Sequence, residues 1–234
     1  MDGDSRTGKI TDIALLRSIA EQLKVPLTTI ARQAELSELT GQPTDPTLLQ
    51  LQTDIALSLV DSYLLGLTLA GQKELHLEPV SVSAVLTDIA HELSPLAAQH
   101  GITVELAIGG RYAPVMAHAQ GLRAALLSLG YGVLYAQAAQ ARDVVTLALQ
   151  RMPQGLVTGL YGIQPLSTGV WRQALRLHGR AQQPLASILT GSGAGVFIAD
   201  ALLRTMQSRL RVGKSRNSYG LATTLRESQQ LRFV

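Results

Sequence analysis

A chain of 234 residues with 46% hydrophobic and 16% charged residues has enough apolar content for one or two packed domains, which excludes a disordered protein. It contains no cysteine, which excludes disulfides and thiolate metal sites. The formal net charge is +3, and no basic block with interleaved aromatics marks a nucleic-acid partner. Arg204, Arg209, Arg211, Lys214 and Arg216 gather near the C-terminus and read as a solvated face, with a phosphate or nucleic-acid surface as the lesser reading.

The opening Met1-Asp2-Gly3-Asp4-Ser5-Arg6 is polar and has no apolar signal-peptide core. A first helix is predicted over residues 11–39. Apolar or small residues at Ile13, Leu16, Ala20, Leu23, Leu27, Ile30 and Ala34 are spaced 3, 4, 3, 4, 3, 4. That heptad seam needs a partner helix in this chain, in a second copy, or both. Pro26 removes one backbone hydrogen bond and should bend the helix. Residues 41–46 form a turn by composition, with Thr44 or Asp45 as the candidate cap and Pro46 in the first turn of a second helix that stops at Gly71. Its apolar run, residues 55–70, is interrupted by Asp61 and is shorter than the roughly 20 residues of a membrane span. A buried bundle helix and a cytoplasmic location are therefore expected. The leucines of this helix face more than one side. Pairing two hairpins into a four-helix bundle would cover them, so a homodimer is expected.

From residue 74 the pattern changes. Leu75-His76-Leu77 is a predicted short strand, and residues 81–99 a helix with Val82, Val85, Leu86, Ile89, Leu93 and Leu96 inward. Residues 102–106 alternate as a strand should, and 114–117 give another short strand. A very apolar helix is predicted over 122–135, a hairpin over 144–149 and 155–162, a glycine-opened helix over 194–206, and closing strands at 210–212 and 220–225. The fold class is α+β. Residues 1–72 form a helical hairpin and residues 73–234 place helices on one face of a mixed sheet.

Glu21-Gln22-Leu23-Lys24-Val25-Pro26-Leu27 resembles the phosphoacceptor motif of sensor histidine kinases, His-Glu-Leu-(Arg/Lys)-Thr-Pro-Leu, with Leu23, Lys24, Pro26 and Leu27 in register. The element order from about residue 13 to 225 is similar to that family's core. The resemblance implies a dimerisation hairpin forming a four-helix bundle, followed by an ATP-binding-type α/β sandwich of the Bergerat (GHKL) class. Glu78-Pro79-Val80, Pro95-Leu96-Ala97 and Gly101-Ile102 look like the entry into that domain. Gly191-Ser192-Gly193-Ala194-Gly195 looks like its second glycine box, which implies close backbone approach to a triphosphate at a helix N-terminus. No Lys-Ser/Thr follows, as a Walker loop requires, and Val196 replaces the third glycine of a Rossmann fingerprint.

The sequence departs from the family where chemistry is carried. Glu21 falls at the phosphorylated histidine, and Gln22 at the adjacent acid that takes its proton. The helix motif Asn-Leu-Leu-x-Asn-Ala aligns with Ser128-Leu129-Gly130-Tyr131-Gly132-Val133, so Ser128 and Gly132 replace the asparagines, the second of which holds Mg²⁺ in the family. The box Asp-x-Gly-x-Gly-Ile aligns with Thr158-Gly159-Leu160-Tyr161-Gly162-Ile163, so Thr158 replaces the adenine-binding aspartate, while Gly162 and Ile163 match. Residues 164–190 would be the lid, without its phenylalanine-rich pattern.

The resemblance thus implies a degenerate, pseudokinase-type member of two-component signalling, with no cofactor expected. Thr28, Thr29 and Arg32 would lie on the surface that meets a response-regulator receiver domain or another signalling protein. The alternative is a divergent, active ATP- and Mg²⁺-dependent histidine kinase, with Gln120 or Ser128 standing in for the asparagines. His91-Glu92-Leu93-Ser94-Pro95-Leu96 imitates a phosphoacceptor box but has one residue too few before the proline. His91 is read as structural. So are His76, His100, His118 and His178, which show no metal-ligand spacing.

Overall fold

The computed structural model describes residues 3–72, 74–138, 143–163, 168–176, 194–215 and 218–228; in the first helix it describes side chains at 19, 20 and from 23 onward. Helix α1 (Gly3–Thr40) starts well before residue 11 and runs through Pro26 without a break. It buries Ile19 and Pro26, one heptad apart, against the rest of the fold. Ala20, Leu27 and Ala34 of the predicted seam stay exposed, Leu27 at 54%. Helix α2 (Pro46–Gly71) is capped by Asp45, whose Oδ1 accepts the Thr47 N–H at 2.9 Å, with Pro46 at its start. Its buried residues, Gln52, Ile55, Leu59, Ser62, Gly66 and Leu69, fall at helical spacing and form one stripe toward the following lobe. Leu57 and Leu64 stay more than half exposed.

Strand β1 (Glu78–Val80) opens the lobe and pairs antiparallel with β3 (Val115–Ala117). The strand predicted at 75–77 is displaced to this segment, and Leu75, His76 and Leu77 carry no regular structure. Local alternation pointed to the wrong tripeptide because the pairing partner lies far along the chain. Helix α3 (Val82–Gln99) is capped by Ser81, whose hydroxyl accepts the Ala84 N–H at 3.4 Å. After β2 (Thr103–Ile108) come α4 (Ala119–Ala138), the hairpin of β4 (Val144–Met152) and β5 (Gly155–Ile163), α5 (Thr168–Arg176), α6 (Ala194–Thr205), β6 (Arg211–Ser215) and β7 (Ser218–Leu225). The five-stranded sheet has the order β2-β4-β5-β7-β6, with β2 parallel to β4 and the other pairs antiparallel.

Register divides the sheet into two faces. The row Leu147, Leu160 and Leu221 belongs to the main core with α3, α4 and α6. The next row, Ala148, Gly159 and Ala222, lies on the other face, where Ala148, Tyr161 and Ala222 form a second, small buried cluster. Gly155 ends the β4–β5 turn at φ +132°, a conformation that favours glycine. Helix α5, absent from the sequence-based reading, is anchored by Trp171. This side chain is buried, stacks on Phe197 at 6.5 Å and donates from Nε1 to the Leu210 carbonyl at 3.1 Å.

Helix α4 is the hub. Thirteen of its 20 residues are buried, so it meets neighbours on nearly every side. Three of its glycines make room for them. A Cβ at Gly121 would sit 3.1 Å from Leu69 Cδ1 of α2, one at Gly130 would sit 2.5 Å from Leu93 Cδ1 of α3, and one at Gly132 would sit 3.3 Å from Val196 Cγ2 of α6. Through Leu69 and Gly66, which faces Leu202 of α6, the hairpin packs directly on the lobe.

These contacts set opposite expectations for two substitutions. Gly130→Val overlaps Leu93 and should lower stability by about 2 kcal/mol. Gly66→Ala meets Leu202 at an ordinary 3.5 Å and should gain about 0.5–1 kcal/mol from helix propensity. Urea denaturation of the two variants checks both signs.

Candidate functional site

Four of the positions aligned with the nucleotide-binding motifs lie on α4 and on β5, which packs against it. Ser128 and Gly132 lie one turn apart on α4. Thr158 on β5 is the register partner of Thr223 on β7 and of Leu149 on β4, and all three side chains belong to the helix-facing side of the sheet. Ser128, Thr158 and Thr223 are each at least 99% buried, and none of their hydroxyls has a hydrogen-bond partner among the described residues. Such a group costs about 1–3 kcal/mol when buried unpaired.

Gly132 contributes no side-chain oxygen, and Val196 with Gly195 stands where a side chain would extend. This turn of the helix therefore offers no side-chain oxygen to a magnesium ion, which takes oxygen ligands. Thr158 offers a neutral hydroxyl that both donates and accepts, in place of an acceptor-only carboxylate. At the far end of α4, the fully buried Gln137 donates from Nε2 to the carbonyls of Val144, at 3.1 Å, and Gly162. Gly162 sits at a bulge with φ +143°, so the β5 end is held to the α4 end just before residue 164.

The aligned site residues are not all brought together. Ser128 and Gly132 lie on α4, Thr158 and Gly162 lie on β5, which packs against it, and Gly195 lies at the start of α6 beside Gly132. Gly191, Ser192 and Gly193 fall outside the described residues, as do His178 and all of the expected lid except α5. Glu21 and Gln22 lie in α1, but their side chains are outside the description. Thr28 and Arg32 are exposed one turn apart on α1, and the Thr29 hydroxyl donates to the Val25 carbonyl at 3.0 Å. Gln120 is exposed at the start of α4 and lines a groove against α2, away from Ser128. Thr223 is the residue that sequence reading missed; its place opposite Thr158 is visible only once β5 and β7 pair.

The histidines behave structurally where they are described. His118 Nδ1 accepts the Gly121 N–H at 3.1 Å and so caps α4. His100 meets Tyr135 edge-on at 6.1 Å. His91 is exposed on α3, next to Glu92, which pairs with Arg123. Burial pushes the Tyr135 phenol up to about 12 and raises Tyr131 further, with the Glu92 charge adding to the latter. In the basic C-terminal group, Arg204 is paired with the buried Asp200 at 2.7 Å, while Arg209, Arg211 and Lys214 are exposed.

No family model and no curated protein matches the sequence. Solved structures do. The Acinetobacter baumannii histidine kinase AdeS superposes with a TM-score of 0.53 at 15% identity, over 90% of this chain and 98% of that one. Full-length ShkA, solved in complex with AMPPNP, superposes with a TM-score of 0.54 at 18% identity, over 92% of this chain and 46% of that one. The fold is that of a histidine kinase core. The histidine kinase core fold thus matches the α+β expectation, with a helical hairpin leading into a lobe built on a mixed sheet.

Within that fold the buried hydroxyls give a stability test. Thr158→Val and Thr223→Val should each be neutral or stabilising by up to about 1 kcal/mol, because each removes an unpaired hydroxyl at nearly constant volume. Thr158→Asp, which restores a carboxylate, should cost about 3 kcal/mol or more unless the acid stays protonated. Chemical denaturation of the three variants at neutral pH measures the ordering.

Proposed function

We propose that this chain is a histidine-kinase-like signalling protein that acts by self-association and partner docking and does not autophosphorylate. The observation that carries the reading is Gly132. It supplies no oxygen for Mg²⁺, and α6 packs against it, so the neutralisation of charge on a transferred phosphoryl group is given up. Glu21 and Gln22 add to this on chemical grounds: a carboxylate does not relay phosphate as an imidazole does, and an amide is not a base.

Self-association is supported by the apolar surface that α1 and α2 keep in the single chain. Leu27, Leu36, Leu39, Leu57 and Leu64 are each more than half exposed. A second hairpin would cover such surface in a four-helix bundle. A receiver domain or another signalling protein would then meet the α1 surface that carries Thr28 and Arg32. The unpaired hydroxyls of Ser128, Thr158 and Thr223 favour a second reading, a divergent nucleotide-binding kinase that uses them toward the base.

Sedimentation velocity tests the self-association. The chain should run as a dimer, and Leu27→Lys combined with Leu64→Lys should run as a folded monomer. A wild-type monomer at tens of micromolar, or a dimer that survives both charges, would remove the basis of the proposal.

A further inference from the structure

The edge of the sheet at β2 is open. Strand β2 pairs only with β4 among the described elements, and all six of its residues keep at least partial exposure, Leu106 at 44%. The Thr103 N–H donates to the Asp143 carbonyl at 2.6 Å, toward β4. Successive residues of a strand point their backbone groups to opposite sides. The N–H and C=O groups of Val104, Leu106 and Ile108 therefore point to the free edge. An edge of this kind is a template for another strand unless it is shortened, bulged, covered or charged. Here β2 has neither proline nor a register shift against β4, and Glu105 is its only charge.

At the C-terminal end of this edge lies an open cleft of about 720 Å³, lined by Leu106, Ile108, Arg111, Tyr112, Gln150 and Arg151 among others. Its shape is fixed from the protein side. The Tyr112 hydroxyl reaches the carbonyls of Gly109 at 2.6 Å and Leu149 at 3.0 Å, which pins the loop after β2 to the end of β4. Gln150 Nε2 donates to Ser215 Oγ at 3.2 Å. Arg111 is exposed and makes no ion pair with any described residue. Arg151 is 57% exposed and is held by Glu227 through a single Nε contact at 2.9 Å.

We infer that the free edge of β2 and the arginine cleft at its end form one docking site, for an extended acidic segment of a partner protein that adds to the sheet as a sixth strand. The backbone groups of Val104, Leu106 and Ile108 supply the ladder, as in other strand-addition complexes. Arg111, and Arg151 once drawn from Glu227, supply charge-assisted bonds to carboxylates and set the preference for acid. The site lies on the edge strand of the lobe and uses none of the residues of the hairpin surface or of the α4–β5–β7 site.

The probe is a displayed library of random peptides of about ten residues, panned against the full chain at low salt. The recovered peptides should be rich in Asp, Glu and β-branched residues. A resynthesised one, followed by fluorescence polarisation, should bind about tenfold more weakly to Leu106→Pro and to Arg111→Glu. The proline removes an outward N–H only, which edge strands tolerate, and far-UV circular dichroism verifies the fold. Arg111→Glu tests the charge even if the proline variant misfolds. Failure to recover any peptide, recovery of basic or helical peptides, or binding to both variants as tight as to the unaltered chain would overturn the inference. So would a dimer that Leu106→Pro dissolves, since the occupant would then be a second copy.

Discussion

The structure depends on how closely other helices can approach α4. Three glycines on that helix admit Leu69 from the hairpin, Leu93 from α3 and Val196 from α6, at distances that a side chain at Gly130 would forbid and one at Gly121 or Gly132 would crowd. Helix α4 in turn covers the leucine row of the sheet. Hairpin, helical layer and sheet are therefore joined through one element. Glycine lowers helix propensity by about 1 kcal/mol per residue, so three of them in a 20-residue helix make sense only if close approach returns more than that.

The same contact bears on chemistry. At Gly132 the space beside α4 is taken by Val196 of α6, and the helix offers no side-chain oxygen there. Thr158 and Ser128 carry neutral hydroxyls. The helix–sheet layer here is mostly apolar and holds three buried hydroxyls without partners among the described residues. A hydroxyl there is cheaper to bury than a charge. Exposed leucines are instead found on the hairpin, at Leu27, Leu36, Leu39, Leu57 and Leu64, and on β2, at Leu106.

Much of the fold was legible in the sequence because local signals and tertiary structure agree. Asp45-Pro46 and Ser81 announce helix starts, and both caps form. The hairpin predicted at 144–149 and 155–162 forms as β4 and β5, with β4 running on to Met152, and the apolar run of α4 marks a buried helix. The failures came where tertiary contacts decide. Strand β1 is fixed by pairing with the distant β3, which placed it at Glu78–Val80 and left the alternating Leu75-His76-Leu77 irregular. Helix α5 is short, with Trp171 as its anchor in the core. The heptad seam predicted on α1 differs from the stripe the chain uses: it buries Ile19 and Pro26 and leaves Leu27 exposed, because the rest of the fold packs on a different side of the helix. Motif order put Ser128 and Gly132 on a helix and Thr158 and Gly162 on a strand, as α4 and β5 have them, whereas the place of Thr223 opposite Thr158 needed the β5–β7 register.

The claim that this core signals without phosphoryl transfer is tested most directly by calorimetric titration of the purified chain with ATP, with and without Mg²⁺. The account predicts no saturable heat up to millimolar ATP in either buffer. Saturable binding that requires Mg²⁺ and is abolished by Gly193→Trp would contradict it, and would mean that the site at α4 still holds a metal-bound nucleotide.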